Sequence, residues 1–136
     1  MKLLIDTHVA IWFATKPGRI GEVALEMILD PRNKAYVSAV SIWEIGIKYP
    51  LSKRRGAVPF SAHEAILAFQ QSGFTLLDIT PEHAATVETL PLLHADPFDR
   101  LLVAQALSEP MRLITADVMV ARYSDTVILM QPVIDP

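Results

Sequence analysis

Five short apolar runs, set apart by stretches of helical periodicity, constrain this chain more than any other feature. They are "KLLI" (2–5), "YVSA" (36–39), "FTLLDI" (74–79), "MRLITA" (111–116) and "TVILM" (126–130). Runs of this length, rich in leucine and β-branched residues and without polar alternation, fit strands buried on both faces. Helical segments between such strands require crossover connections, and right-handed crossovers place helices on both sides of a sheet. The expected architecture is therefore α/β, a three-layer α/β/α sandwich with a central, mostly parallel five-stranded sheet. Residues 1–136 form one domain on this reading, and hydrophobic residues at 51% supply the core.

Helix boundaries follow from caps and breakers. "RIGEVALEMILD" (19–30) carries Ile20, Val23, Ala24, Met27 and Ile28 at helical spacing. Ser41 with Glu44 and Ser61 with Glu64 match the capping box, while Thr80 before Pro81 marks another start. Gly73 marks a helix stop. Pro50, Gly56 and Pro59 make "PLSKRRGAVPF" a loop. "DPFDRLLVAQALSE" (96–109) is the strongest helix, followed after a strand by the short "DVMVARY".

A net charge of −3 gives no general attraction for a polyanion. A nucleic-acid substrate would need local positive charge or bound metal. With no cysteine there are no disulfides or thiolate metal sites. That agrees with a reducing cytoplasm. The apolar start is interrupted by Asp6 and His8 and lacks a cleavage pattern, so it does not read as a signal peptide. No run reaches the length of a membrane span.

In sheets of this kind ligands bind beyond the carboxyl ends of the strands. Asp6 directly follows "KLLI", Glu44 lies in the helix after "YVSA", and Asp117 follows "RLIT". Asp96 and Asp99 open the "RLLVAQAL" helix. Any one of these acids is explained by a helix N-terminus, which favours carboxylates by about 0.3 to 1 kcal/mol. Together, on neighbouring strands, they would repel one another and gain nothing without a cation. All-oxygen donors point to Mg²⁺ or Mn²⁺ rather than zinc.

The segments "LLIDTHVAIW", "VSAVSIWEIGIK", "HADPFDRLLVAQAL" and "RLITAD", in this order, resemble the PIN-domain ribonucleases, in particular the VapC toxins of VapBC toxin–antitoxin pairs. The resemblance implies a metal-dependent endoribonuclease whose acidic quartet is Asp6, Glu44, Asp99 and Asp117. Asp6 and Asp99 are the first choices as direct ligands of one or two ions, with Glu44 and Asp117 completing the site. Asp96 is a supporting ligand or cap. Thr115 matches a hydroxyl position that bonds a water at the metal, and Thr7 and Ser41 are weaker candidates for that role. Hydrolysis with metal-activated water would leave a 5′-phosphate and a 3′-hydroxyl. The resemblance further implies a VapB-like antitoxin and a homodimer, for which "VAIWF" and "ALEMIL" offer apolar surface.

Lys48, Lys53, Arg54 and Arg55 form the one dense basic run, a candidate RNA contact. Arg100 is expected to pair with an acid or a phosphate rather than to act in catalysis. His94 is expected to orient its loop, His8 to be packed or on the surface, and His63 and His83 to be structural. Trp12 and Trp43 fall on apolar helical faces and read as core or interface. Two other classes compete. A receiver or haloacid-dehalogenase-type phosphotransfer domain would use Asp6 as nucleophile, but the latter needs an aspartate at position 8, which is His. A catalytically silent PIN-like binding module would be expected to have lost ligand acids, and all four are present.

Overall fold

The computed structural model describes residues 1–52 and 58–134. Five strands form one sheet: β1 (Lys2–Ile5), β2 (Lys34–Ser38), β3 (Thr75–Leu77), β4 (Arg112–Thr115) and β5 (Ile128–Leu129). Their order is β3-β2-β1-β4-β5, and every pairing is parallel. The helices are α1 (Thr7–Thr15), α2 (Glu22–Leu29), α3 (Ala39–Ser52), α4 (Ala62–Gln71), α5 (Pro81–Thr86), α6 (Pro97–Ser108) and α7 (Val118–Ala121).

Alternation along the strands builds two cores. Leu3, Ile5 and Ile114 face one way, packing with Val9, Ala24, Ile45 and Phe69 from the helices. Leu4 and Leu113 face the other way, against Leu102, Val103 and Val120. The α/β/α sandwich is therefore the observed fold. Strand order reverses at β1, so the crevice at the carboxyl ends of β1 and β4 is the topological switch point.

Several boundaries differ from the sequence reading. Ser41 does not open α3, because the chain turns straight out of β2 and the Ser38 hydroxyl accepts from Val40 N at 3.0 Å. Ser41 and Glu44 are thus not a capping box. The expected helix over 19–30 breaks into a 3-10 turn (Pro17–Arg19) and α2, capped by Gly21. A Cβ on Gly21 would lie 3.0 Å from the Gln131 carbonyl, so glycine lets the C-terminal segment approach closely without displacement. Val23 is consequently exposed, while Ile20, Ala24 and Ile28 remain in the core. α3 continues through Pro50 to Ser52 instead of ending before a loop. β5 is short because residues 124–127 close a turn, with Val127 N bonded to Ser124 O. The expected stop at Gly73 holds, with φ at +93°. The Ser61–Glu64 capping box forms as read from the sequence.

Candidate active site

The three central strands and α6 deliver the acids to one place. β1 ends at Ile5, and Asp6 immediately becomes the N-cap of α1, its Oδ1 accepting from His8 N at 2.9 Å. Its other oxygen accepts from the Thr115 hydroxyl, at the end of β4, at 2.7 Å. Asp117, two residues further, caps α7 through Met119 N at 2.8 Å. Asp96 caps α6, accepting from Phe98 N and Asp99 N at 2.8 and 3.2 Å. Capping and site geometry coincide here, because a strand's carboxyl end followed by a helix N-terminus is where both are needed.

These side chains and Glu44 line a cleft of about 420 Å³, together with His8, Trp12, His94 and Ala116. Asp6 and Glu44 are almost wholly buried. One oxygen of Glu44 lies 2.5 Å from Lys48 Nζ, and the other is buried with no hydrogen-bond partner among the described residues. Burial raises the Asp6 carboxyl above its ordinary pKa, against the opposing Thr115 and His8 hydrogen bonds, and the Glu44 charge adds to the rise. Asp99 is pushed up to about 7, first by burial and then by the charges of Asp6 and Asp96, with a further push from Glu44. Lys48 is raised: burial works against its charge, but its bond to Glu44 and the charges of Glu44, Asp96 and Asp99 outweigh that.

His94 is the cleft residue underrated by the sequence. Its Nε2 lies 2.9 Å from Asp99 Oδ2 and 3.5 Å from Asp117 Oδ2. Donor atoms of His94, Asp99 and Asp117 all fall within 4.8 Å of one another, close enough to hold one ion. No pair of histidines at metal spacing marks this position; the signal was its place five residues before Asp99. The expected loop role also holds, since His94 N donates to the Tyr123 hydroxyl at 2.9 Å.

Arg100 behaves otherwise than expected. It pairs with neither an acid nor a free position for phosphate, but donates to the Pro91 and Val87 carbonyls and to Tyr123. It buttresses the segment that carries His94. Thr7 and Ser41 bond each other at 2.7 Å, tying α1 to α3 behind the cleft wall. Lys48 turns inward to Glu44, and Lys53, Arg54 and Arg55 lie outside the described residues. His83 is buried and structural, with Nδ1 accepting from Thr80 N. Trp43 is 53% exposed, edge-on to Phe98 at 5.0 Å, so it is not core.

The PIN domain family model matches residues 3–125. The chain belongs to the PIN-domain family. Within that family it is 32% identical over 116 residues to Ribonuclease VapC22 of Mycobacterium tuberculosis, covering 85% of this chain and 86% of the relative. The fold matches VapBC2 from Rickettsia felis, solved bound to a promoter DNA fragment, with a TM-score of 0.67 at 17% identity, over 97% of this chain and 99% of that one. It also matches VapBC-1 from nontypeable Haemophilus influenzae, with a TM-score of 0.61 at 16% identity, over 96% and 98% of the two chains. As a PIN domain, this chain presents its acids where the order of its parallel strands reverses.

Proposed function

We propose that this chain is a divalent-metal-dependent endoribonuclease and the toxin of a type II toxin–antitoxin pair. The observation that carries the reading is the convergence of Asp6, Glu44, Asp99 and Asp117 on one cleft, with Asp99 raised to about 7 by burial and its acidic neighbours. A fold tolerates such crowding when a cation relieves it. The donor set fits a hard divalent ion: carboxylates from four elements, one of them Glu44 with an oxygen unpartnered among the described residues, and His94 beside Asp99 and Asp117. Because imidazole suits manganese better than magnesium, His94 favours Mn²⁺.

Asp99, Asp117 and His94 would hold one ion, with Asp6 and Glu44 on its other side or serving a second. Bound there, a divalent ion supplies a water acidic enough to attack phosphorus and charge to stabilise the leaving oxygen. The protein's own groups prepare the cleft. The Thr115 hydroxyl locks the Asp6 carboxylate against rotation, and its oxygen also accepts from Asp117 N at 3.1 Å, linking the two acids' positions. A hydrogen bond of 2.9 Å between His94 Nε2 and Asp99 Oδ2 fixes these two side chains relative to each other. Lys48 offsets the charge of Glu44.

The similarity to Ribonuclease VapC22 supports RNA as substrate, and the VapBC neighbours support a VapB-like antitoxin as partner. A cytoplasmic setting follows from that role, and among the described residues no helix is long and apolar enough to cross a membrane. For a homodimer, α1 offers little, since Val9, Ala10 and Ile11 are buried in the core, whereas Val23 and Leu29 of α2 stay exposed. Purified chain, freed of antitoxin, should cleave RNA with Mn²⁺ or Mg²⁺ and not with EDTA, and Asp6→Asn should abolish cleavage while leaving the fold intact. Metal-independent cleavage would refute the role given to the ion, and no cleavage on several RNA classes would return the chain to the silent binding-module reading.

A further inference from the structure

We infer that Tyr123 is a positioning residue that holds His94 in place as a nitrogen ligand, and so sets the preference of the cleft for Mn²⁺ over Mg²⁺. The inference rests on the metal-dependent reading and says what governs its choice of ion. His94 lies in an irregular segment between a 3-10 turn (Val87–Thr89) and α6, with no helix or strand to carry it. A ligand so placed needs other groups to fix its backbone as well as its ring. Among the described residues, the hydrogen bonds that join 91–95 to the rest of the fold run only through the His94 ring, Arg100 and Tyr123.

The phenol holds both polar groups of the His94 backbone. Its oxygen accepts from His94 N at 2.9 Å and donates to His94 O at 3.4 Å. It also accepts from Arg100 Nη1 at 3.0 Å, and the same guanidinium donates to the Pro91 and Val87 carbonyls. A tyrosine hydroxyl has one proton to give and two lone pairs, so this one is fully engaged here and has nothing left for a substrate. Tyr123 stands just past α7, whose N-cap is Asp117. One helical turn therefore separates the acid from the phenol, and this spacer fixes the 3.5 Å between His94 Nε2 and Asp117 Oδ2. Without the phenol oxygen, Asp99 is still carried by α6 and Asp117 keeps its cap bond to Met119 N, whereas His94 loses both backbone bonds. Magnesium takes oxygen ligands, and a nitrogen donor adds more to the binding of manganese. Loosening His94 alone should therefore weaken the hold on one ion and spare the other.

The test compares the unaltered chain with Tyr123→Phe, His94→Ala and the double variant. Calorimetry reads Mn²⁺ and Mg²⁺ affinity, and pulsed electron paramagnetic resonance reads nitrogen coupling to bound Mn²⁺. The unaltered chain should show imidazole coupling, and His94→Ala should abolish it. Tyr123→Phe should weaken the coupling and cut Mn²⁺ affinity by about 10-fold, the lower end of the range for groups behind a ligand, with Mg²⁺ affinity changed far less. Added to His94→Ala, Tyr123→Phe should cost Mn²⁺ binding nothing further. Arg100→Met, which takes away the phenol's other partner, should shift the ratio of the two affinities in the same direction, and it decides the matter should Tyr123→Phe fail to fold. Equal losses for both ions, no loss for either, or a loss that persists without His94 would overturn the inference and leave Tyr123 a general support of the fold. So would Mn²⁺ bound without nitrogen coupling in the unaltered chain, a result that leaves a carboxylate site and the nuclease reading intact. No Mn²⁺ binding by the unaltered chain would instead refute the metal-dependent reading itself.

Discussion

Asp99→Asn should make the metal-free protein more stable, though it removes a proposed metal ligand. The raised Asp99 carboxyl fixes the sign. Below about pH 4 folded and unfolded chains both keep this proton, and the group costs nothing. Between there and about 7 the unfolded chain releases the proton while the folded chain retains it, so folding stability falls as pH rises and levels off above the folded value. At full strength the shift corresponds to about 4 kcal/mol. Solvent at the open cleft screens it, and about 2 kcal/mol is a fair working figure. With a urea m-value of about 1.5 kcal/mol/M, the variant's midpoint should rise by roughly 1 M at pH 8 in EDTA, and by about two-fifths of that at pH 5. Saturating Mn²⁺ should reverse the ranking, because an ion at 100 times its Kd stabilises the unaltered chain by about 2.7 kcal/mol. Urea unfolding followed by far-UV circular dichroism at both pH values, with and without Mn²⁺, measures all four cases. A variant less stable than the unaltered chain at pH 8 in EDTA would refute the reasoning, since the contact with His94 would then outweigh the crowding of charge.

His94→Ala should weaken Mn²⁺ binding by about 10- to 100-fold in calorimetry, the range for a ligand or its close support. Thr115→Val strips Asp6 and Asp117 N of a buried partner; stability should fall by about 1 to 3 kcal/mol on denaturant unfolding. It also removes a bond that holds the Asp6 pKa down, so the acidic limb of the cleavage pH profile should move to higher pH. Arg100→Met should lower stability by about 1.5 to 3 kcal/mol through the lost carbonyl bonds, seen as a lower urea midpoint, and should raise mobility of residues 91–95 in hydrogen exchange. Gly73→Ala should cost about 1 to 2 kcal/mol on thermal unfolding, because φ at +93° disfavours any Cβ.

The sheet was legible because strands buried on both faces have little room for polar residues, and each apolar run fell on a strand. Its edges were not: β3 covers only Thr75–Leu77, and β5 only Ile128–Leu129, where the turn closed by Val127 N on Ser124 O takes up the start of the apolar run. The four acids were legible as a set from their shared position between strand and helix. Glu44 shows the limit of local reading. Its spacing from Ser41 imitates a cap, yet Ser38 opens the helix and Glu44 is left to the cleft. His94 was underrated because a lone histidine in a loop is explained by packing alone, and only the path of the chain into α6 brings it to Asp99 and Asp117. Arg100 was misjudged because its neighbour in sequence is acidic, whereas the carbonyls it serves come from residues 87–91.

The central claim is that the acids at this sheet edge hold a divalent ion. Anomalous diffraction at the manganese edge, from crystals of the chain grown with Mn²⁺, tests it most directly. The account predicts a strong peak in the cleft within coordination distance of Asp99 and Asp117, lost in crystals of Asp99→Asn. A cleft without a peak at millimolar Mn²⁺, or one unaffected by that substitution, would contradict it.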